Sequence, residues 1–247
     1  MLLKNKTAVV TGCNRGIGKK ILEVFSANGA TIFACVRNIT EEFKVYLNEI
    51  KKKFNNQIIP IQFDLNDETQ IKEAANKVLS SNPSIDILVN NAATIHTALF
   101  QMTSIKKLKE VFETDFFSQT IFTQYILKSM IKKKAGSILY ISSSSALDGN
   151  EGRSAYSSAK AAMITQAKVL SREVGKYNIR VNAIAPGLTN TDMMRKNTPE
   201  EILNEVILRI SLKRIANPEE IANVALLLSS DLSSYITGQV IRVDGGM

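Results

Sequence analysis

The chain has 247 residues, 45% hydrophobic and 22% charged, with 12 glycines, 5 prolines and 2 cysteines, which excludes disordered, collagen-like and disulfide-stapled classes. The formal charge of +8 comes with 6% aromatics and no tryptophan, so no nucleic-acid platform is read from it. One histidine and two cysteines make no metal set, and no run reaches the ~18 apolar residues of a membrane span. The start, Met1-Leu2-Leu3-Lys4-Asn5-Lys6, is too short and polar for a signal peptide, so a cytoplasmic protein with reduced thiols is expected.

Apolar runs at Thr7–Val10, Thr31–Val36, Ile58–Phe63, Ile85–Val89, Ser137–Ile141, Ile179–Ala183 and Val240–Val243 read as buried strands. Helical patterns open between them near Gly16, Glu41, Glu68, Ile105, Ala155 and Glu219. This alternation predicts an α/β fold, a Rossmann-type doubly wound parallel sheet of about seven strands with helices on both faces. Asp67 and Ser154 are read as N-caps, and Gly29 as the residue that ends the first helix. The clusters Lys51–Lys53 and Lys132–Lys134 fall near predicted helix ends, where cations suit the dipole. No Pro-, Gly- or Ser-rich linker divides residues 1–247, so one domain is expected. The longest irregular stretch, Pro186 to about Pro199, is read as a lid.

Thr11-Gly12-Cys13-Asn14-Arg15-Gly16-Ile17-Gly18 follows the first strand and opens the first helix. Glycines there let backbone N–H groups approach a pyrophosphate, and the helix N-terminus adds partial positive charge. Gly12, Asn14, Arg15, Gly16, Ile17 and Gly18 are therefore candidate dinucleotide contacts, with an ordinary strand-to-helix turn as the alternative. A site that holds a free ribose 2′-hydroxyl ends its second strand in a carboxylate. Here the strand ends Ala34-Cys35-Val36-Arg37-Asn38. Arg37 and Arg15 suit a 2′-phosphate instead, so NADP(H) is expected.

Tyr156-Ser157-Ser158-Ala159-Lys160 sets a phenol and an ammonium four apart on one helix face. A free phenol titrates near 10, and a neighbouring cation stabilises its ionised form and brings it towards the working range. Ser142–Ser145, after the fifth strand, offer a hydrogen bond to a carbonyl oxygen in the same pocket.

These motifs together resemble the short-chain dehydrogenase/reductase family along essentially the whole chain. The carrying segments are Thr11–Gly18, Val89-Asn90-Asn91-Ala92-Ala93, the serine run, Tyr156–Lys160 and Ala185-Pro186-Gly187. Within the family the chain looks most like beta-ketoacyl-(acyl carrier protein) reductases. That resemblance implies that Tyr156 is the general acid, Lys160 its cationic partner and ribose contact, and Ser143, thirteen residues before the tyrosine, the group that polarises the substrate carbonyl. It implies further that Asp64, with Leu65 beside it, meets the adenine and that Asn90 and Ala92 lie along the nucleotide. Ile184, Pro186, Gly187 and Thr191 would flank the nicotinamide.

Two positions depart from the family pattern. Ala93 stands where the family has glycine, and Asp115 stands where it has the asparagine that anchors a proton-relay water. A carboxylate there accepts from water and strengthens the Lys160 ammonium, but weakens that ammonium's pull on Tyr156. Of the remaining residues, His96 is read as a solvent-facing loop histidine, and Cys13 and Cys35 as small fillers. Met102, Met193 and Met194 suit an acyl pocket. Lys132–Lys134, Arg172 and Lys176 could form a basic rim for an acidic carrier, with solvated helix ends as the alternative.

The resemblance implies NADPH-dependent reduction of a 3-oxoacyl thioester, with acyl carrier protein as partner and a homotetramer as assembly. Two alternatives stay open: an NAD(P)-dependent reductase or dehydrogenase of a sugar, nucleotide sugar or polyol, and a weakly catalytic NADP-binding sensor or assembly subunit.

Overall fold

The computed structural model describes residues 1–247. Seven parallel strands form one sheet in the order β3-β2-β1-β4-β5-β6-β7. They are β1 (Thr7–Thr11), β2 (Thr31–Val36), β3 (Ile58–Gln62), β4 (Ile87–Asn90), β5 (Gly136–Ile141), β6 (Ile179–Pro186) and β7 (Val240–Val243). The helices are α1 (Gly16–Ala27), α2 (Glu41–Phe54), α3 (Glu68–Ser81), α4 (Ile105–Phe112), α5 (Ser118–Lys133), α6 (Ser145–Asp148), α7 (Ser154–Val174), α8 (Asp192–Asn197), α9 (Glu200–Arg209) and α10 (Pro218–Ser229).

Period-two alternation along each strand feeds two cores. Ala8, Val10, Ile32 and Ala34 point to the face covered by α1, α2 and α10, through Ile21, Phe25, Leu47 and Ile221. Val9, Phe33 and Cys35 point to the face covered by α3, α5 and α7, through Ile71, Phe122 and Met163. Each fully buried Leu, Ile or Phe contributes ~1.5–3 kcal/mol of transfer free energy, so the sheet is strongly held from both sides. The order reverses between β1 and β4, and in such sheets the ligand crevice opens outside the carboxyl ends of the strands at that point.

Strand and helix positions follow the sequence pattern closely, although β6 runs on to Pro186. Asp67 caps α3 by accepting from the Gln70 N–H at 3.1 Å. Gly29, at φ +88°, closes α1, with its own N–H bonded to Ser26 and that of Ala30 to Phe25. Two expectations are corrected, and one feature is new. Ser154 is the first helical residue of α7 rather than its cap; Arg153 holds the cap position, and the Ser154 hydroxyl is buried without a partner. The stretch from Pro186 to Pro199 is not irregular throughout, because Thr191 accepts from the Met194 N–H at 3.2 Å and so starts α8. Finally, α4 and α5 are joined by one π-helical segment, Glu113–Phe117, which the apolar pattern does not announce. Such single π turns inside helices often mark functional sites.

Candidate active site

A cleft of about 670 Å3 runs along the carboxyl ends of the strands. In its β1–β3 half the loop glycines bring backbone together. A methyl on Gly18 would sit 2.2 Å from the Gly12 carbonyl oxygen, so no side chain fits there. Helix α1 starts at this loop with no side-chain cap, which leaves its first N–H groups free for an anion. Arg15 and Arg37 line the same half and are exposed. The ion pairs that arginines make in this molecule belong to Arg195, Arg214 and Arg242, so both guanidiniums are free to meet a ligand. Asp64 and Leu65 complete this end.

The other half is built from four separate segments. Tyr156 and Lys160 stand on one face of α7, with the Lys160 ammonium 5.8 Å from the tyrosine ring centre. Ser143, after β5, presents its hydroxyl to the same phenol and shares a 2.8 Å hydrogen bond with Ser145. The Lys160 side chain is 1% exposed; its ammonium donates to the Ile141 carbonyl at 3.0 Å and lies 3.6 Å from the Asp115 carboxylate, which is fully buried in the π segment. The other Asp115 oxygen accepts from the Thr94 N–H at 2.7 Å. Gln119, one helical turn further, donates to the Ala92 carbonyl at 2.5 Å. The π segment therefore holds the loop after β4 against the cleft while aiming a carboxylate at the lysine.

Burial dominates the ionisation of this cluster. It pushes the Asp115 carboxyl up to about 6, against the opposing pull of Lys160 and the Thr94 N–H. It pushes the Lys160 ammonium below its ordinary value, with Asp115 resisting. The Tyr156 phenol is pushed well above 10, by burial first and the Asp115 charge second, while the Ser143 hydroxyl and Arg153 draw it back. Burial likewise raises the thiols of Cys13 and Cys35. Both are fillers rather than reactive thiolates.

Most of the residues singled out from the sequence meet in this cleft: Gly12, Asn14, Arg15, Gly16, Ile17 and Gly18; Arg37, Asp64, Leu65 and Ala92; Ser143, Tyr156 and Lys160; and Pro186, Gly187 and Thr191. Three do not. Asn90 is fully buried and its side-chain amide donates to the Thr123 hydroxyl on α5 at 2.8 Å, outside the cleft wall. Ile184 is a fully buried core residue of β6. Asp115 stands behind Lys160 rather than in the cleft wall. Met193 and Met194 line the cleft, with Ile202, Val206 and Met247, but Met102 is 72% exposed and outside it. His96 is half-buried with one ring nitrogen shut from solvent, not solvent-facing. Asn91, which the sequence reading passed over, ties the two halves together by donating to the Thr11 and Gly12 carbonyls at 2.8 and 3.3 Å. Its place beside Asn90 was the available signal.

A family model described as enoyl-(acyl carrier protein) reductase, of the short-chain dehydrogenase/reductase type, matches residues 12–247. The chain belongs to the short-chain dehydrogenase/reductase family. It is accordingly an oxidoreductase. The 3-oxoacyl-[acyl-carrier-protein] reductase of Chlamydia trachomatis is 39% identical, over 100% of this chain and 98% of its own. The reductase of the same description from Aquifex aeolicus is 38% identical over 99% of this chain and 98% of its own. A 7α-hydroxysteroid dehydrogenase, solved with NADH and 7-oxo glycochenodeoxycholic acid, superposes with a TM-score of 0.92 at 31% identity, covering 99% of this chain and 94% of that one.

Proposed function

We propose that this short-chain dehydrogenase/reductase reduces a 3-oxoacyl thioester, presented on acyl carrier protein, to the 3-hydroxyacyl form with NADPH. The observation that carries the reading is the meeting of Ser143, Tyr156 and Lys160 in one cleft, in a chain 39% identical along its whole length to a reductase of that description.

The residues present fit the dinucleotide. Arg15 and Arg37, both unpaired, suit a 2′-phosphate, and the second strand ends without a carboxylate. The uncapped start of α1 suits the pyrophosphate, Asp64 and Leu65 the adenine, and Ala92, Pro186, Gly187 and Thr191 the nicotinamide end. When bound, the dinucleotide supplies a hydride to the carbonyl carbon. Ser143 donates a hydrogen bond to the carbonyl oxygen and fixes it beside Tyr156. The Tyr156 hydroxyl gives that oxygen its proton, so no free alkoxide forms. Lys160 faces the ring that becomes phenolate, and Asp115 holds Lys160 from behind. Met193, Met194, Ile202 and Val206 form an adaptable apolar wall for an acyl chain. Residues 1–247 act as one nucleotide-binding unit in a cytoplasmic homotetramer, whose mass in solution is checked by light scattering.

The test is NADPH oxidation with acetoacetyl-coenzyme A, run beside NADH and beside a panel of keto-sugars. NADPH-selective turnover of the thioester is expected. Preference for a keto-sugar would overturn the substrate, and tight NADPH binding without turnover of any carbonyl would overturn the enzyme reading.

A further inference from the structure

The substrate half of the cleft holds one guanidinium that the chemistry above leaves unused. Arg153 directly precedes α7, three residues before Tyr156, and lines the same cleft. It is held on both sides: one nitrogen donates to the Thr97 hydroxyl at 2.5 Å, in the loop after β4, and the other to the Asn197 carbonyl at 2.8 Å, at the end of α8. Both acceptors are neutral, and Arg153 is not among the arginines that meet a carboxylate. Its charge is therefore fixed in place and uncompensated.

Lys160 is in the opposite situation. Its ammonium lies 3.6 Å from a buried carboxylate. A cation paired with an anion acts at a distance as a dipole, and a dipole's field falls off faster than that of a lone charge. The Lys160 ammonium lies 5.8 Å from the tyrosine ring centre, but Asp115 cancels much of what it would contribute there. The departure from asparagine at position 115 thus removes a cation's influence from the one residue that needs it.

We propose that Arg153 is the positioning cation that stabilises ionised Tyr156 in this chain, a task from which Asp115 withdraws Lys160. The inference rests on Tyr156 being the proton donor. The charged groups around the phenol are Asp115 from the π segment, Lys160 from α7, Arg153 at the cap of α7, and at the cleft rim Glu151 and Asp192. Glu151 is exposed, and Asp192 is exposed and paired with Arg195, so solvent screens both. The directions agree with this division: Asp115 pushes the phenol up and Arg153 draws it down.

The experiment reads the phenol directly and needs no substrate. Fluorinated tyrosine, incorporated throughout the full chain, brings phenol titration into an accessible pH range, and the 19F resonance missing from Tyr156→Phe identifies Tyr156. Arg153→Gln should raise its midpoint by roughly 0.5–1 pH unit, and Arg153→Lys, which keeps the charge but not the fork, should restore most of the shift. Replacing the pair together, as Asp115→Asn with Lys160→Met, should move the midpoint less than Arg153→Gln does. An unmoved midpoint in Arg153→Gln, an equal shift in Arg153→Lys, or a larger shift on replacing the pair would each overturn the proposal. Turnover retained by Tyr156→Phe is a separate result; it would overturn the assignment of the proton donor.

Discussion

In the β1–β3 half of the cleft the groups that face a ligand are backbone N–H groups and two exposed arginines, all within a few residues of strand ends. In the β4–β6 half they are side chains from α7, the loop after β5, the π segment and α8, and the decisive charges are buried. The first half works by shape and exposed charge. In the second, burial moves Asp115, Tyr156 and Lys160 away from their ordinary values. Binding and catalysis are therefore separable here to a degree that mutation can measure.

The largest separation is expected at Tyr156. Tyr156→Phe should lower turnover about 100- to 10,000-fold while NADPH affinity, read by fluorescence titration, stays nearly unchanged. Comparable losses in both would mean that the halves are not independent. Gly18→Ala should do the reverse. Its methyl would meet the Gly12 carbonyl oxygen at 2.2 Å, so the loop must shift, and overpacking of that kind costs about 1–3 kcal/mol. Weaker NADPH binding and a lower Tm, with kcat at saturation largely kept, is the expected pattern.

Arg37→Asp tests the exposed half alone. Losing a charge-assisted bond to phosphate and gaining an acceptor for a hydroxyl should shift the NADPH/NADH ratio of kcat/KM by about 10- to 100-fold towards NADH. An unchanged ratio would remove the argument for the phosphorylated dinucleotide.

The smallest effect is the most specific to the buried half. Asp115, with its carboxyl raised to about 6, takes up a proton as the pH falls through that value and stops neutralising Lys160. The phenol then becomes a stronger acid, so reduction should speed up severalfold between pH 7 and pH 5. Asp115→Asn should be fast across the range and lack the step. Stability follows the same group. A carboxyl whose folded value lies above its ordinary one, near 3.9, favours the fold most below that ordinary value, and loses this contribution as the pH rises through about 6. Asp115→Asn should therefore flatten Tm against pH between 4 and 6.

Much of the fold was legible because its signals are local. Near-continuous apolar strands such as Thr31–Val36 and the glycine that ends α1 depend on neighbours a few residues away, and the parallel sheet follows from their alternation with helices. The glycine loop, the Tyr156–Lys160 spacing and the missing carboxylate after β2 are equally short-range. Tertiary structure alone decided which charges are neutralised and which groups face the cleft. Asn90, expected along the nucleotide, turns its side chain to Thr123 on α5. Asp115, read from the sequence as a carboxylate acting on Lys160, lies 3.6 Å from its ammonium, and only the fold shows that it does so from a fully buried π turn. Arg153, unmarked in the sequence, is fixed in the same cleft as the phenol by two segments that come from either side of it in the chain. Burial and long-range pairing set an ionisable group's behaviour, and neither is a property of the residues next to it in sequence.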